Sequence, residues 1–172
     1  DHRDLHSFPT RRSSDLMDEG KYLKVLNTLQ ARCSRSECCS RDMRTKALKA
    51  LDGDEEAAER IVASLVADKF VDDLRYASAF AREKSSLSGW GVQKISFALT
   101  GKDIDRQTIA EALEDIDTDA AANKLDSVLA AKLRTLSSDP QRRVKLLRFA
   151  LGRGYGYDEV KSAVDRLLSE EV

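Results

Sequence analysis

The residues able to do covalent or metal chemistry in this chain are few, and their spacing limits each of them. Cys33, Cys38 and Cys39 form a thiol cluster. A structural zinc site needs four ligands, usually as paired C-x-x-C steps, and this cluster offers three thiols without that pairing. An odd set of clustered thiols reads instead as free cysteine in a reducing cytoplasm. The two histidines, His2 and His6, both fall in residues 1–16. That stretch, DHRDLHSFPTRRSSDL, has neither helical nor strand periodicity and no apolar centre, so it is not a signal peptide. Its SFPTRRSSDL portion reads as a translated sequencing adapter fused ahead of Met17. With 1–16 set aside as a non-native or disordered tail, residues 17–172 contain no histidine. A Ser–His–Asp or Cys–His arrangement then has no base.

Three further motifs invite a chemical reading and lose it on geometry. Asp72-Asp73 offers two carboxylates for metal-assisted chemistry, but neighbours on a helix point about 100° apart. An Asp where a helical stripe begins is a cap for free backbone N–H groups. Gly152-Arg153-Gly154-Tyr155-Gly156 is as glycine-rich as a phosphate loop, yet it lacks the preceding strand and the Lys-Ser/Thr pair. It reads as a turn between helices. Trp90, held between Gly89 and Gly91, reads as a packing anchor at a repeat junction rather than a base-stacking platform. No catalytic residue, metal ligand set or cofactor motif remains, so the chain is expected to act by binding and not as an enzyme.

The elements that must position a binding surface are helical. The chain has 172 residues, 41% hydrophobic, 34% charged and 6% aromatic, with a mean hydropathy of −0.47. That composition suits helices with broad solvated faces and not a β-sandwich or a collagenous fibre. No apolar run approaches the roughly 18–20 residues of a membrane span. Apolar residues recur at helical spacing: Ala58, Ile61, Val62, Leu65 and Val66; Leu74, Ala77, Phe80 and Ala81; then Val92, Ile95 and Leu99. The series continues through Ile109, Ala112 and Leu113, then Leu125, Leu129 and Leu133, and closes at Val160, Ala163, Val164 and Leu167. Asp72 and Asp105 precede stripes as caps, and Asp139-Pro140 reads as a cap followed by proline at the first helical position. Gly53, Gly101 and Gly152 punctuate the ends. The pattern predicts an all-α chain of about nine helices of roughly 10–17 residues.

These helices repeat. Residues Ile95 to Leu113 lie on Leu146 to Val164 at one constant offset, pairing Ile95 with Leu146, Lys102 with Arg153, Ile104 with Tyr155, and Ile109 with Val160. A weaker copy spans Met43 to Val66, and a longer helix precedes each pair, around 21–32, 72–86 and 119–136. The expectation is three tandem three-helix repeats, 17–69, 70–117 and 118–172, stacked into an elongated, curved array because no unit buries its apolar face alone.

Charge follows the repeat. The net charge of −1 argues against a simple DNA-coating protein, but it hides basic and acidic blocks. Residues 21–49 are basic, 52–73 acidic, 75–102 basic and 103–119 acidic. Residues 132–153 carry Lys132, Arg134, Arg142, Arg143, Lys145, Arg148 and Arg153 against Asp139 alone. Arg142, Lys145 and Arg148 fall close to one face of a helix, with Val144 and Leu147 expected toward the core. Any single block is an ordinary solvated face. Three in register with three repeats predict a basic stripe, the electrostatic footprint of a nucleic-acid or nucleoprotein partner. Its candidate members are Arg82, Lys84, Lys94, Arg142, Arg143, Lys145, Arg148 and Arg153.

One run of residues carries a family resemblance. Phe70, Asp72, Asp73, Arg75, Tyr76 and Ala77, followed by Gly89-Trp90-Gly91, Lys94-Ile95 and Leu99, resemble the regulatory protein RecX family. That family's pattern is an aromatic, an Asp-Asp pair, Arg-aromatic-Ala, a glycine-bearing turn and a helix with Lys-Ile and Leu. Cys33-Ser34-Arg35-Ser36-Glu37 resembles the family's entry to its first short helices, and Arg153-Gly154-Tyr155 its C-terminal Arg-Gly-aromatic turn. Lys102-Asp103-Ile104 departs from it, since the family usually has glycine before the apolar residue. The resemblance implies a cytoplasmic, monomeric modulator that binds the recombinase RecA and its single-stranded DNA filament. It implies inhibition of filament activity in DNA repair, homologous recombination and the SOS response, with direct DNA contact possible and no membrane partner. The rival reading is a helical DNA-binding module without RecA specificity. A duplex reader places base-contacting side chains at the start of a recognition helix, whereas the third helix of each unit here is acidic.

The thiol reading has a direct check. Treating the purified protein with a chelator should leave its melting curve unchanged, and metal analysis should find no stoichiometric zinc. One equivalent of zinc per chain would overturn the assignment of Cys33, Cys38 and Cys39 as free thiols.

Overall fold

The computed structural model describes residues 13–171, with side chains from residue 18 onward. Those residues form nine helices and no strand: α1 (Ser13–Cys33), α2 (Ser40–Ala50), α3 (Glu55–Ala67), α4 (Asp73–Ser86), α5 (Val92–Thr100), α6 (Arg106–Glu114), α7 (Thr118–Arg134), α8 (Arg142–Gly152) and α9 (Tyr157–Ser169). Two of the three expected start signals, Asp72 and Asp105, cap helices, and Asp54 and Asp117 do the same without having been singled out from the sequence. Asp54, Asp72, Asp105 and Asp117 each accept a hydrogen bond from the backbone N–H three residues on, at 2.8–3.1 Å. Asp105 also accepts from the Thr108 hydroxyl, and these bonds hold its carboxyl below the usual carboxylate range.

The repeat is visible in the cores. Ala58, Ile61 and Val62 of α3 occupy the same register as Ile109, Ala112 and Leu113 of α6 and Val160, Ala163 and Val164 of α9. Each of these helices turns that register inward, and eight of the nine side chains are buried. The chain divides into two compact units, one ending at Val71 and one starting at Asp72. The first packs α1, α2 and α3 around Leu29, Met43, Ala47, Ile61 and Leu65. The second holds two cores. One, under α4, α5 and α6, is built on Ala77, Ala81, Ile95, Leu99 and Ala112. The other, under α7, α8 and α9, is built on Leu125, Leu129, Leu146, Val160 and Val164. Each buried Leu, Ile or Val contributes about 1.5–3 kcal/mol of transfer free energy.

Several expectations shift. The tail expected over 1–16 lies outside the described residues as far as residue 12, and α1 starts at Ser13 rather than near residue 21. Asp139-Pro140 does not open α8. Its first residue is Arg142, because Asp139 turns its carboxylate to the Gln141 N–H at 2.8 Å and closes a tight turn first. Val144 is 51% exposed, since α8 buries the Leu146–Ala150 line against its neighbours and leaves only Leu147 of the expected pair partly covered. Val66, Leu74 and Val92 stand on the solvent edges of their stripes. Helices α5 and α6 have nine residues each, shorter than expected. Asp103 adopts φ +57°, the left-handed region that favours glycine and that Asp tolerates, which accommodates the departure from the family pattern at that turn. Among the described residues, no helix is long and apolar enough to cross a membrane.

Within the second unit, the two cores are joined backbone to backbone. The Gly91 N–H donates to the Arg153 carbonyl at 2.9 Å and the Gln93 N–H to the Gly154 carbonyl at 3.1 Å. The chains approach so closely that a Cβ on Gly91 would stand 2.3 Å from the Gly154 carbonyl carbon and oxygen. A Cβ on Gly154, whose φ is +91°, would stand 2.4 Å from the Lys94 Cβ. Arg153 closes the seam: its Nε donates to the Gly89 carbonyl at 2.8 Å and an Nη to the Ser88 carbonyl at 2.5 Å.

Gly91 has an ordinary φ of −79°, so substitution there tests the close approach and not backbone strain. Gly91→Ala should lower the melting temperature by several degrees, since backbone atoms must separate to admit one methyl. Gly152→Ala, with open space around it, should be neutral or slightly stabilising. Thermal melts of the two variants beside the parent check this, and equal melting temperatures would refute the seam.

Candidate binding surface

The basic candidates of the second unit fall into two groups, set by which helices carry them. Lys84 lies in the last turn of α4, Lys94 lies in the first turn of α5, and Trp90 stands between them, its backbone N–H donating to the Lys84 carbonyl at 2.9 Å. The Lys94 ammonium lies 4.4 Å from the Trp90 ring centroid and the Lys84 ammonium 5.1 Å from it. Phe80 meets Trp90 edge-on at 6.0 Å and stacks on Tyr76 at 6.1 Å. The result is an aromatic file, Tyr76–Phe80–Trp90, with two cations over its end. Trp90 packs against the core of α4, α5 and α6. Arg82 sits one turn from Ser86 on α4 and reaches Asp115 at 3.5 Å.

The second group belongs to α8. Sequence spacing shows this helix as cationic with no carboxylate of its own, but the tertiary structure brings carboxylates to it. Arg142 pairs with Glu171 at 3.1 Å, Arg143 with Asp165 of α9, and Lys145 with Asp139. The Lys145 ammonium, with the Gln141 N–H, holds the Asp139 carboxyl below its ordinary range. Arg143, with Lys161, does the same to Asp165. Arg148 differs: it makes no ion pair among the described residues. With Lys132, Lys145 and Phe149 it lines an open cavity of about 280 Å³. The Lys132 ammonium stands 5.4 Å from the Phe149 ring centroid, and the Arg153 guanidinium 5.5 Å from it. Arg153 itself is committed to the seam through the Ser88 and Gly89 carbonyls. Lys132 was visible only as a member of a basic block. Its place beside Arg148 depends on how α7 packs on α8, which no spacing along the chain encodes.

The motif residues around Asp72 have local physical duties. Phe70 packs on the core of the first unit, Asp72 caps α4, Ala77 is fully buried, Gly89 and Gly91 build the seam, and Trp90 packs on Phe80 beside it. The thiols are shielded: Cys38 and Cys39 are buried, and burial followed by the neighbouring Cys38 pushes the Cys33 thiol up to about 12. A thiol so shifted is protonated at neutral pH and a poor nucleophile. Among the described residues, no group of three or more His, Cys, Asp or Glu side chains is placed to hold a metal ion.

This arrangement has known counterparts. Residues 72–113 match the family model described as RecX, second three-helix domain. The chain is 37% identical over 124 residues to the regulatory protein RecX of Clostridium botulinum, covering 69% of this chain and 57% of that protein. It is 33% identical over 108 residues to the regulatory protein RecX of Pectobacterium atrosepticum, covering 62% of this chain and 65% of that one. The crystal structure of RecX from Lactobacillus salivarius superposes with a TM-score of 0.73 at 21% identity, covering 87% of this chain and 97% of that one, which shows the shared fold. The chain spans little more than half the length of the first of these curated relatives. The motif from Asp72 onward, the helical repeat and these relatives agree, and the chain belongs to the RecX family of regulatory proteins.

Proposed function

We propose that this chain binds RecA and its single-stranded DNA filament in the cytoplasm and inhibits recombinase activity, acting as a non-enzymatic modulator built of three helical repeats. The observation that carries this reading is the uncompensated cationic face at Arg148 and Lys132, beside the Phe149 ring, in a member of this family. A filament that bears phosphates along its length attracts such a face over distance, and the local field raises the rate of encounter. Inhibition follows if the chain binds one filament conformation better than another, since only differential affinity shifts such an equilibrium. The ion pairs on Arg142, Arg143 and Lys145 do not remove these residues from the surface. Their side chains remain 37–45% exposed, and solvent-exposed pairs are weak enough to exchange for a partner's phosphate. Arg82, Lys84 and Lys94 extend the face along α4 and α5, while Arg153 contributes by fixing the turn that presents α8.

The test is RecA ATP hydrolysis on single-stranded DNA with and without the purified chain. The parent should inhibit, and Lys132→Glu/Arg148→Glu should weaken inhibition while leaving the melting temperature unchanged. Each lost phosphate contact should flatten the log–log salt dependence by about 0.7. A double variant that folds and inhibits like the parent at physiological salt would refute a role for this face. Equal binding to naked DNA and to the RecA filament would favour the DNA-binding module instead.

A further inference from the structure

The first unit holds a cavity outside the binding surface described above. It has a volume of about 940 Å³ and lies between α1 and α2. One face of α1 supplies Lys21, Lys24 and Arg32 at helical spacing, the chain beyond α1 supplies Arg35, and α2 supplies Lys46. Val25, Leu29, Ala31 and Ala50 supply the apolar part of the lining. No carboxylate lines the cavity. Lys21 pairs with Asp52 at 2.5 Å, whereas Lys24, Arg32, Arg35 and Lys46 make no ion pair among the described residues. The acidic start of α3, with Glu55, Glu56 and Glu59, does not contribute to the lining.

From this charge and this apolar lining we infer that the cleft docks an acidic amphipathic helix of a protein partner. A partner helix would lay aliphatic side chains on Val25 and Ala50 and set carboxylates against Lys24, Arg32 and Lys46, the helix-in-groove mode of recognition. The cleft's length fits, because Lys21 to Arg32 spans about 16 Å of α1, three helical turns. Single-stranded nucleic acid is the poorer occupant. Grooves that hold it stack bases on aromatic rings, and no aromatic side chain lines this cavity. Tyr22 does not line it, and the Arg60 guanidinium covers its ring at 4.6 Å. This inference does not depend on the RecA reading, since it concerns the other unit and a partner of different chemistry.

The experiment uses the full chain and a fluorescein-labelled synthetic helix of about four turns, with Leu on one face and Glu on both flanks. Fluorescence anisotropy should show saturable binding that weakens as salt rises. Lys24→Glu/Lys46→Glu should weaken it by about tenfold or more, and Ala50→Glu should weaken it similarly. Lys132→Glu/Arg148→Glu in the second unit should leave it unchanged. The three cleft-lining substitution sites, Lys24, Lys46 and Ala50, are solvent-exposed, so circular dichroism melts should match the parent. Three outcomes would overturn the inference. They are no saturable binding of the acidic helix, binding indifferent to the cleft variants, or binding of labelled oligo-dT that the cleft variants abolish while the acidic helix fails to compete.

Discussion

The close backbone contact between the turn at Gly89–Gln93 and the turn at Arg153–Gly154 is the constraint on which the second unit depends. A three-helix set with seven to nine buried side chains is a small core, and small cores are marginal because so much of their surface stays wet. Here two such sets share a seam in which carbonyls at a helix end, otherwise without intrahelical donors, accept N–H groups from the neighbouring turn. That geometry demands glycine at both points of contact. Once the turns are locked, the sides of α4 and α7 face each other, and the cations of α5 and α8 are carried on one compact body.

Arginine 153 shows how such a seam consumes charge. Its planar fork places two N–H groups on two successive carbonyls, a task a lysine's single ammonium performs less well. The same guanidinium lies near the Phe149 ring, so the residue is held on two sides. Its counterpart in the middle repeat is Lys102, on a turn that carries Asp103 where the later turn carries Gly154. Two turns at matching positions of the repeat therefore have different local chemistry, while their apolar successors Ile104 and Tyr155 are buried alike.

Charge elsewhere in the chain is arranged by the same economy. Acidic residues that look remote in sequence return to the basic helix: Asp165 and Glu171 come back from the C-terminal end to α8, and Asp139 folds over from the preceding turn. These pairs keep a densely cationic helix from repelling itself, yet they stay in contact with water and remain weak. Two groups of cations without an ion pair among the described residues line open space, Arg148 with Lys132 in the second unit and the cluster around Lys24 and Lys46 in the first. The first lies beside an aromatic ring and the second beside aliphatic side chains, a difference that separates the chemistry of the ligands they suit.

Helical periodicity, the starts of α4 and α6, and the repeat were legible along the chain. Periodicity reports which side chains must leave water, and an Asp before a stripe caps the next N–H groups through contacts only three residues long. The constant offset linking Ile109 and Val160 was legible for the same reason, because one register of a helix can face only one way, whereas Ala58's place in that register came from the packing. The family motif at Phe70–Ala77 and Gly89–Gly91 was legible too, with Asp72 as a cap and Trp90 as a packing anchor, although the backbone contact of Gly91 with the turn at Arg153–Gly154 was not. Tertiary structure alone decided which cations are spent and which remain. Ion pairing requires approach within a few ångströms, and Arg143 with Asp165, or Arg153 with Gly89, are brought together by helices packed far apart in sequence. It also decided that Val144 faces water, since the rotation of α8 is set by where Leu146 and Ala150 find their neighbours. The cleft over Val25 and Ala50 belongs to the same class, for an open space between two helices is a property of their packing and not of either helix.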